Sequence, residues 1–129
     1  MSESEPSFYE RIGGEVGVRA LVDHFYDVMD ALPEVLPLRA MHPRDLTESR
    51  NKLFEFLSGW LGGPPLYMQR RGHPRLRARH MPFPIDTSAR DQWMLCMQQA
   101  LAQAPLDDTA RARLTSGFGD LATHMINHG

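Results

Sequence analysis

The sequence predicts an all-α fold. Apolar residues recur at three- and four-residue steps along most of the chain. No alternating strand pattern lies between turn residues. The interruptions fall at Gly and Pro, the residues that stop helices. With 129 residues, the chain can bury one sizeable core but not two.

Residues 1–6 are acidic and polar and read as a loose tail, which leaves 7–129 as a single domain. Ser7 and Glu10 stand at capping-box spacing, so a short helix starts there and stops at Gly13-Gly14. A second helix is expected over 15–31, where Val18, Leu21, Val22, Phe25 and Met29 share one face. Tyr26 falls on that inward stripe. Pro33 and Pro37 end the segment.

The third helix is expected over 46–61, buried through Leu46, Leu53, Phe56, Leu57 and Trp60 and closed by Gly62-Gly63-Pro64-Pro65. A basic stretch without clear pattern runs on to Gly72. Pro74 suits the first turn of a short helix over 74–80. Pro82-Phe83-Pro84 has to be extended, because a residue before proline avoids the helical region. A helix over 87–103 follows, with Ser88 and Asp91 at capping-box spacing. A last helix over 109–127 buries Leu114, Phe118, Leu121, Ala122, Met125 and Ile126.

Composition narrows the function classes. Lys+Arg number 14 and Asp+Glu 16, a balance with no general pull toward nucleic acid or an anionic membrane. The single cysteine, Cys96, cannot form an intrachain disulfide. Its neighbours Met94, Leu95 and Met97 suggest an inert buried thiol. The start does not read as a signal peptide, and no run has the length of a membrane span, so a cytoplasmic location is expected. Paired-cysteine metal spacing, glycine-rich phosphate loops and His-Glu-x-x-His are absent.

Four residues combine a polar or titratable group with an inward stripe or a chain break. His80 ends a short helix against the stiff Pro-Phe-Pro corner. It is either an iron ligand or a helix-end histidine favoured by the dipole. Tyr26 and Trp93 are inward aromatics with polar tips, suited either to hydrogen-bonding a small ligand or to reaching backbone carbonyls. His42, before Pro43, is a further donor or acceptor, or a loop residue. Arg70, Arg71, Arg75, Arg77 and Arg79 form a run readable as a carboxylate site, a nucleic-acid patch or a solvated face.

The segments Tyr9-Glu10-Arg11-Ile12-Gly13-Gly14, Phe25-Tyr26, Trp60-Leu61-Gly62-Gly63-Pro64, Gly72-His73-Pro74-Arg75-Leu76-Arg77-Ala78-Arg79-His80-Met81-Pro82-Phe83 and Arg90-Asp91-Gln92-Trp93 together resemble the truncated haemoglobins of the second group. The resemblance implies a two-over-two helical sandwich around haem b. It maps the iron ligand onto His80, the distal tyrosine onto Tyr26 and the distal tryptophan onto Trp93. His42 stands where the family often has Tyr or Phe. Ser49 and Leu53 take the distal gate positions. Leu53, Phe54, Phe83, Ile85, Trp93 and Met97 are the expected cofactor slot. Tyr67, Arg77 and Arg79 are the expected partners of the propionates.

The implied function is reversible binding of dioxygen, CO and NO at a five-coordinate iron beneath a Tyr/His/Trp network. A redox enzyme acting on NO or peroxide, served by a reductase, is the alternative. A haem-free module whose arginines bind an anionic partner is the third. The implied assembly is a monomer or a homodimer.

Overall fold

The computed structural model describes residues 6–128, so most of the expected tail lies outside the described residues. Among the described residues, eight α-helices follow one another. They are α1 (Phe8–Ile12), α2 (Gly14–Ala31), α3 (Leu36–Ala40), α4 (Thr47–Trp60), α5 (Leu66–Arg71), α6 (Leu76–His80), α7 (Thr87–Ala102) and α8 (Asp108–His124). A 3₁₀ turn, Pro33–Val35, joins α2 to α3. No strand occurs among the described residues.

Four long helices make two layers. α2 packs on α4 in one, and α7 on α8 in the other, with α2 crossing α7 between them. The arrangement is the two-over-two helical sandwich. Aromatic contacts hold the layers together. Phe118 of α8 stacks on Trp60 of α4 at 4.5 Å between centroids and meets Trp93 of α7 at 5.9 Å. Trp93 in turn lies 5.1 Å from Phe25 of α2. Phe25 and Phe118 are fully buried, so these rings form the centre of the core.

The local start signals act as their chemistry dictates. The Ser7 hydroxyl accepts from the Glu10 N–H, and the Glu10 carboxylate accepts from the Ser7 N–H, so both halves of the box are made. Gly13, at φ +110°, closes α1 in the left-handed region and lets α2 begin at once. α1 then lies so near α2 that a Cβ on Gly17 would stand 1.9 Å from the Ile12 carbonyl oxygen. Only glycine fits that crossing.

Several sequence expectations are corrected. Pro33 and Pro37 do end α2, yet each also opens a new helical turn, because proline suits the first positions of a helix. The patternless basic stretch contains α5. It is held to α4 through Glu55, which is only 5% exposed. Arg71 Nε donates to Glu55 at 2.6 Å and Arg70 Nη1 at 3.2 Å. These bonds, Arg71's first, hold the buried carboxyl below the usual carboxylate range against the opposing effect of burial.

The short helix expected at 74–80 begins only at Leu76. Arg75 takes a left-handed conformation at φ +44°, which breaks the helical run after Pro74. The N-cap of α7 is Asp86, whose carboxylate accepts from Ala89 N–H, and not the Ser88–Asp91 pair. The Ser88 hydroxyl accepts from Gln92 Nε2 instead. The last helix stops at His124, three residues short of the expected end at 127.

Candidate functional site

Four helices carry the candidate residues. α2 carries Tyr26, the end of α3 leads into His42, and α6 ends in His80. The Tyr26 and His42 rings meet edge to face at 5.9 Å. His80 stands where its protonated form would lower the pKa of His42, as the last and smallest of the influences on it. Trp93 enters from α7 through Phe25, which lies 4.9 Å from the Tyr26 ring.

The hydrogen bonds of the two imidazoles fix their chemistry. His80 Nδ1 lies 2.6 Å from the Leu76 carbonyl oxygen. A carbonyl can only accept, so Nδ1 carries the proton and Nε2 keeps its lone pair. A histidine that ligates a metal is oriented in this way by a backbone acceptor behind it. The ring is half-buried at the end of a helix whose next turn is blocked by Pro82 and Pro84.

His42 is built alike. Its Nδ1 donates to the Leu38 carbonyl at 2.9 Å, leaving Nε2 as an acceptor in the neutral ring. Burial lowers its pKa below the ordinary 6.5, the Leu38 bond opposes this, and Arg39 and His80 lower it further. Of the two roles open to His42, donor or acceptor, the neutral ring offers a lone pair, and Nε2 donates only once protonated.

Tyr26 and Trp93 differ. Neither the Tyr26 hydroxyl nor the Trp93 indole N–H hydrogen-bonds another described residue, and neither is a sealed orphan. Two donors therefore face open space. Burial raises the pKa of Tyr26 well above the usual value, with the nearby Arg50 opposing, so its O–H keeps its proton throughout the working range. Arg50 is itself fixed by Asp23 at 3.0 Å and Asp27 at 2.8 Å, which ties α4 to α2 over the Tyr26 ring. Ser49 and Leu53, four apart on α4, are both half-buried.

The expected slot residues divide. Leu53, Ile85 and Trp93 are half-buried, and Phe83 is 41% exposed beside an exposed Met81. These leave apolar surface for a flat apolar ligand. Phe54 and Met97 sit inside the protein core, Phe54 beneath the Arg19 guanidinium at 4.2 Å, so they offer little surface to a ligand.

The rim residues divide too. Tyr67 is buried between Arg71 and Arg79, each about 6 Å from its ring centroid. Arg79 donates to the Pro74 carbonyl at 2.6 Å. Arg77 turns the other way and donates to the carbonyls of His124 and Ile126 at the end of α8. The arginine run is thus largely taken up by structural anchors. Sequence reading missed Glu55, because burial of an acid on α4 depends on partners from α5 that no periodicity reveals. Cys96 is buried, and burial pushes its thiol up to about 11, as expected of an inert thiol.

A two-over-two helical sandwich with an Nδ1-anchored histidine facing apolar surface has the make-up of a globin. The donor set fits haem: one imidazole lone pair for iron, half-buried and exposed apolar residues to flank the ring, and two donors, on Tyr26 and Trp93, with no partner among the described residues. The bacterial-like globin profile matches residues 7–127. A cold-adapted truncated hemoglobin from Pseudoalteromonas haloplanktis TAC125 is 48% identical, with TM-score 0.94 over 96% of this chain and 100% of that one. The group II 2-on-2 hemoglobin of Agrobacterium tumefaciens is 43% identical, with TM-score 0.94 over the whole of both chains. Group 2 truncated hemoglobin YjbI of Bacillus subtilis is 42% identical over 98% of this chain and 93% of its own length.

The chain belongs to the bacterial-like globins and, among them, to the group II truncated haemoglobins. Membership carries a haem cofactor and the binding of small gaseous ligands, and it overturns the haem-free reading. No described helix is long and apolar enough to cross a membrane.

Proposed function

We propose that the protein holds haem b through His80 alone, leaves iron five-coordinate, and reversibly binds dioxygen, CO or NO in the cytoplasm. The observation that carries this is the Nδ1–H bond from His80 to Leu76, which leaves Nε2 as a ready ligand. Haem supplies the iron position at which a diatomic ligand binds. The chain's residues do the rest. Tyr26 and Trp93 donate to the ligand, whose oxygen gains partial negative charge. Ser49 and Leu53 border its entry. Tyr67 and Arg79 hold the propionate edge, where guanidinium geometry suits a carboxylate. Absorption spectra of the purified protein in ferric, ferrous and CO-bound forms test the reading. A Soret band with a five-coordinate ferrous form is expected, and a colourless protein that takes up no added haem would refute it.

His42 makes the cleft responsive to acid. A depressed pKa keeps the folded imidazole neutral at pH values where the unfolded chain, near 6.5, begins to take a proton. Stability is therefore lost as pH falls below about 6.5 toward the lower folded value. Once protonated, Nε2 gains a hydrogen and joins the donors. Ligand dissociation from the ferrous form should be flat around neutrality and slow in the acid limb. Stopped-flow rates across that range check this: an acid limb that survives in His42→Ala would assign it to another group.

A further inference from the structure

The segment after α8 is tied to the stretch that carries His80. Asn127 Nδ2 donates to the carbonyl of His80 at 3.2 Å and to that of Phe83 at 3.0 Å. Its Oδ1 accepts from the Ile85 N–H at 2.9 Å. The backbone N–H groups of Asn127 and His128 both donate to the Ile85 carbonyl, at 2.8 and 3.0 Å. From the other side, Arg77 donates to the carbonyls of His124 and Ile126 at 2.8 and 3.0 Å.

The chemistry explains why this side chain is there. Pro82 and Pro84 have no N–H, so the backbone bonds at this corner are those of Met81 to the Ala78 carbonyl and of Phe83 to the His80 carbonyl. The Phe83 carbonyl, the Ile85 N–H and the second lone pair of the His80 carbonyl are met from outside, by Asn127. A primary amide offers two donor hydrogens and an acceptor oxygen, which is the set required. Arg77 lies three residues before His80, and the Asn127 bonds begin at His80 itself. The histidine is thus held on both sides, and both holds end on the segment from His124 to His128.

We propose that Asn127 is a positioning residue for His80, fixing the height and tilt of its ring against the haem iron from the C-terminal strap. This rests on His80 being the iron ligand. The Leu76 carbonyl sets which way the ring turns. Asn127 sets where the end of α6 stands, and so how strained the iron–imidazole bond is. Cutting that hold lets the end of α6 relax toward or away from the cleft.

The test compares haem-loaded wild type with Asn127→Ala and Asn127→Asp. Resonance Raman spectra of the ferrous, unliganded form read the iron–histidine stretch, and transfer to a haem scavenger reads the rate of haem loss. Asn127→Ala should shift or broaden the stretch and speed haem loss about tenfold, since hydrogen bonds worth roughly 1.4 kcal/mol in sum are lost. Asn127→Asp keeps the acceptor for Ile85 but loses both donors, so it should shift the band as well, even if the alanine variant folds poorly.

Ser58→Ala removes a fully buried hydroxyl and its hydrogen bond to the Pro64 carbonyl, and serves as the stability control. It should lower the melting temperature and leave the band in place. A band unmoved in both Asn127 variants overturns the proposal. A wild type with no iron–histidine band, or one whose band survives His80→Ala, overturns the assignment of His80 and this inference with it.

Discussion

His80→Ala should leave a folded protein that no longer holds haem firmly. The ring is half-buried, and its one hydrogen bond returns to its own helix, so little packing is lost with it. What is lost is the chain's bond to iron. Removing the group that hydrogen-bonds a metal ligand from behind typically costs about 10–100-fold in affinity, and loss of the ligand itself should exceed that. Transfer of haem to a scavenger should therefore speed up by at least roughly a hundredfold. Added imidazole, which can enter the space left by the ring, should restore the ferrous spectrum in part. Wild-type haem content in the purified variant would mean that the iron is held elsewhere.

The fold was readable because its signals are local. The stripe of Val18, Leu21, Val22, Phe25, Tyr26 and Met29 is buried as its spacing requires, and Ser7–Glu10 makes both bonds of its box. Tyr26, His42, His80 and Trp93 stand out as candidates for a related reason: each is a polar group on an apolar stripe or at a proline break. The failures arise where a distant partner decides. Asp86 caps α7 ahead of Ser88 because the chain arrives extended there. Asn127 continues the helical pattern of α8, yet the carbonyls of His80 and Phe83 and the N–H of Ile85 draw its amide out of that pattern. Arg77 donates to the carbonyls of His124 and Ile126, and nothing in the arginine run says that this segment lies beside it. Glu55 is buried only because α5 folds back and brings two guanidiniums to it.

Tyr26→Phe and Trp93→Phe should each raise the ligand dissociation rate at neutral pH. With His42 neutral and its proton committed to Leu38, these two side chains are the donors left over the cleft. A hydrogen bond to a partly charged acceptor contributes roughly 1.5–3 kcal/mol, so losing one should speed escape by about one to two powers of ten. Tyr26→Phe keeps the edge-to-face contact with Phe25 and changes little but the hydroxyl. Trp93→Phe keeps a ring against Phe25 and Phe118, whereas Trp93→Leu also gives up that aromatic packing and should lower stability as well as ligand retention. The double variant separates two arrangements. If both groups bond one ligand atom, either one partly compensates for loss of the other, and the combined effect on log rate falls short of the sum of the singles. If they act on different atoms, the effects add. Flash-photolysis or stopped-flow rates for the two singles and the double decide between them, and unchanged rates in all three would place both donors out of the ligand's reach.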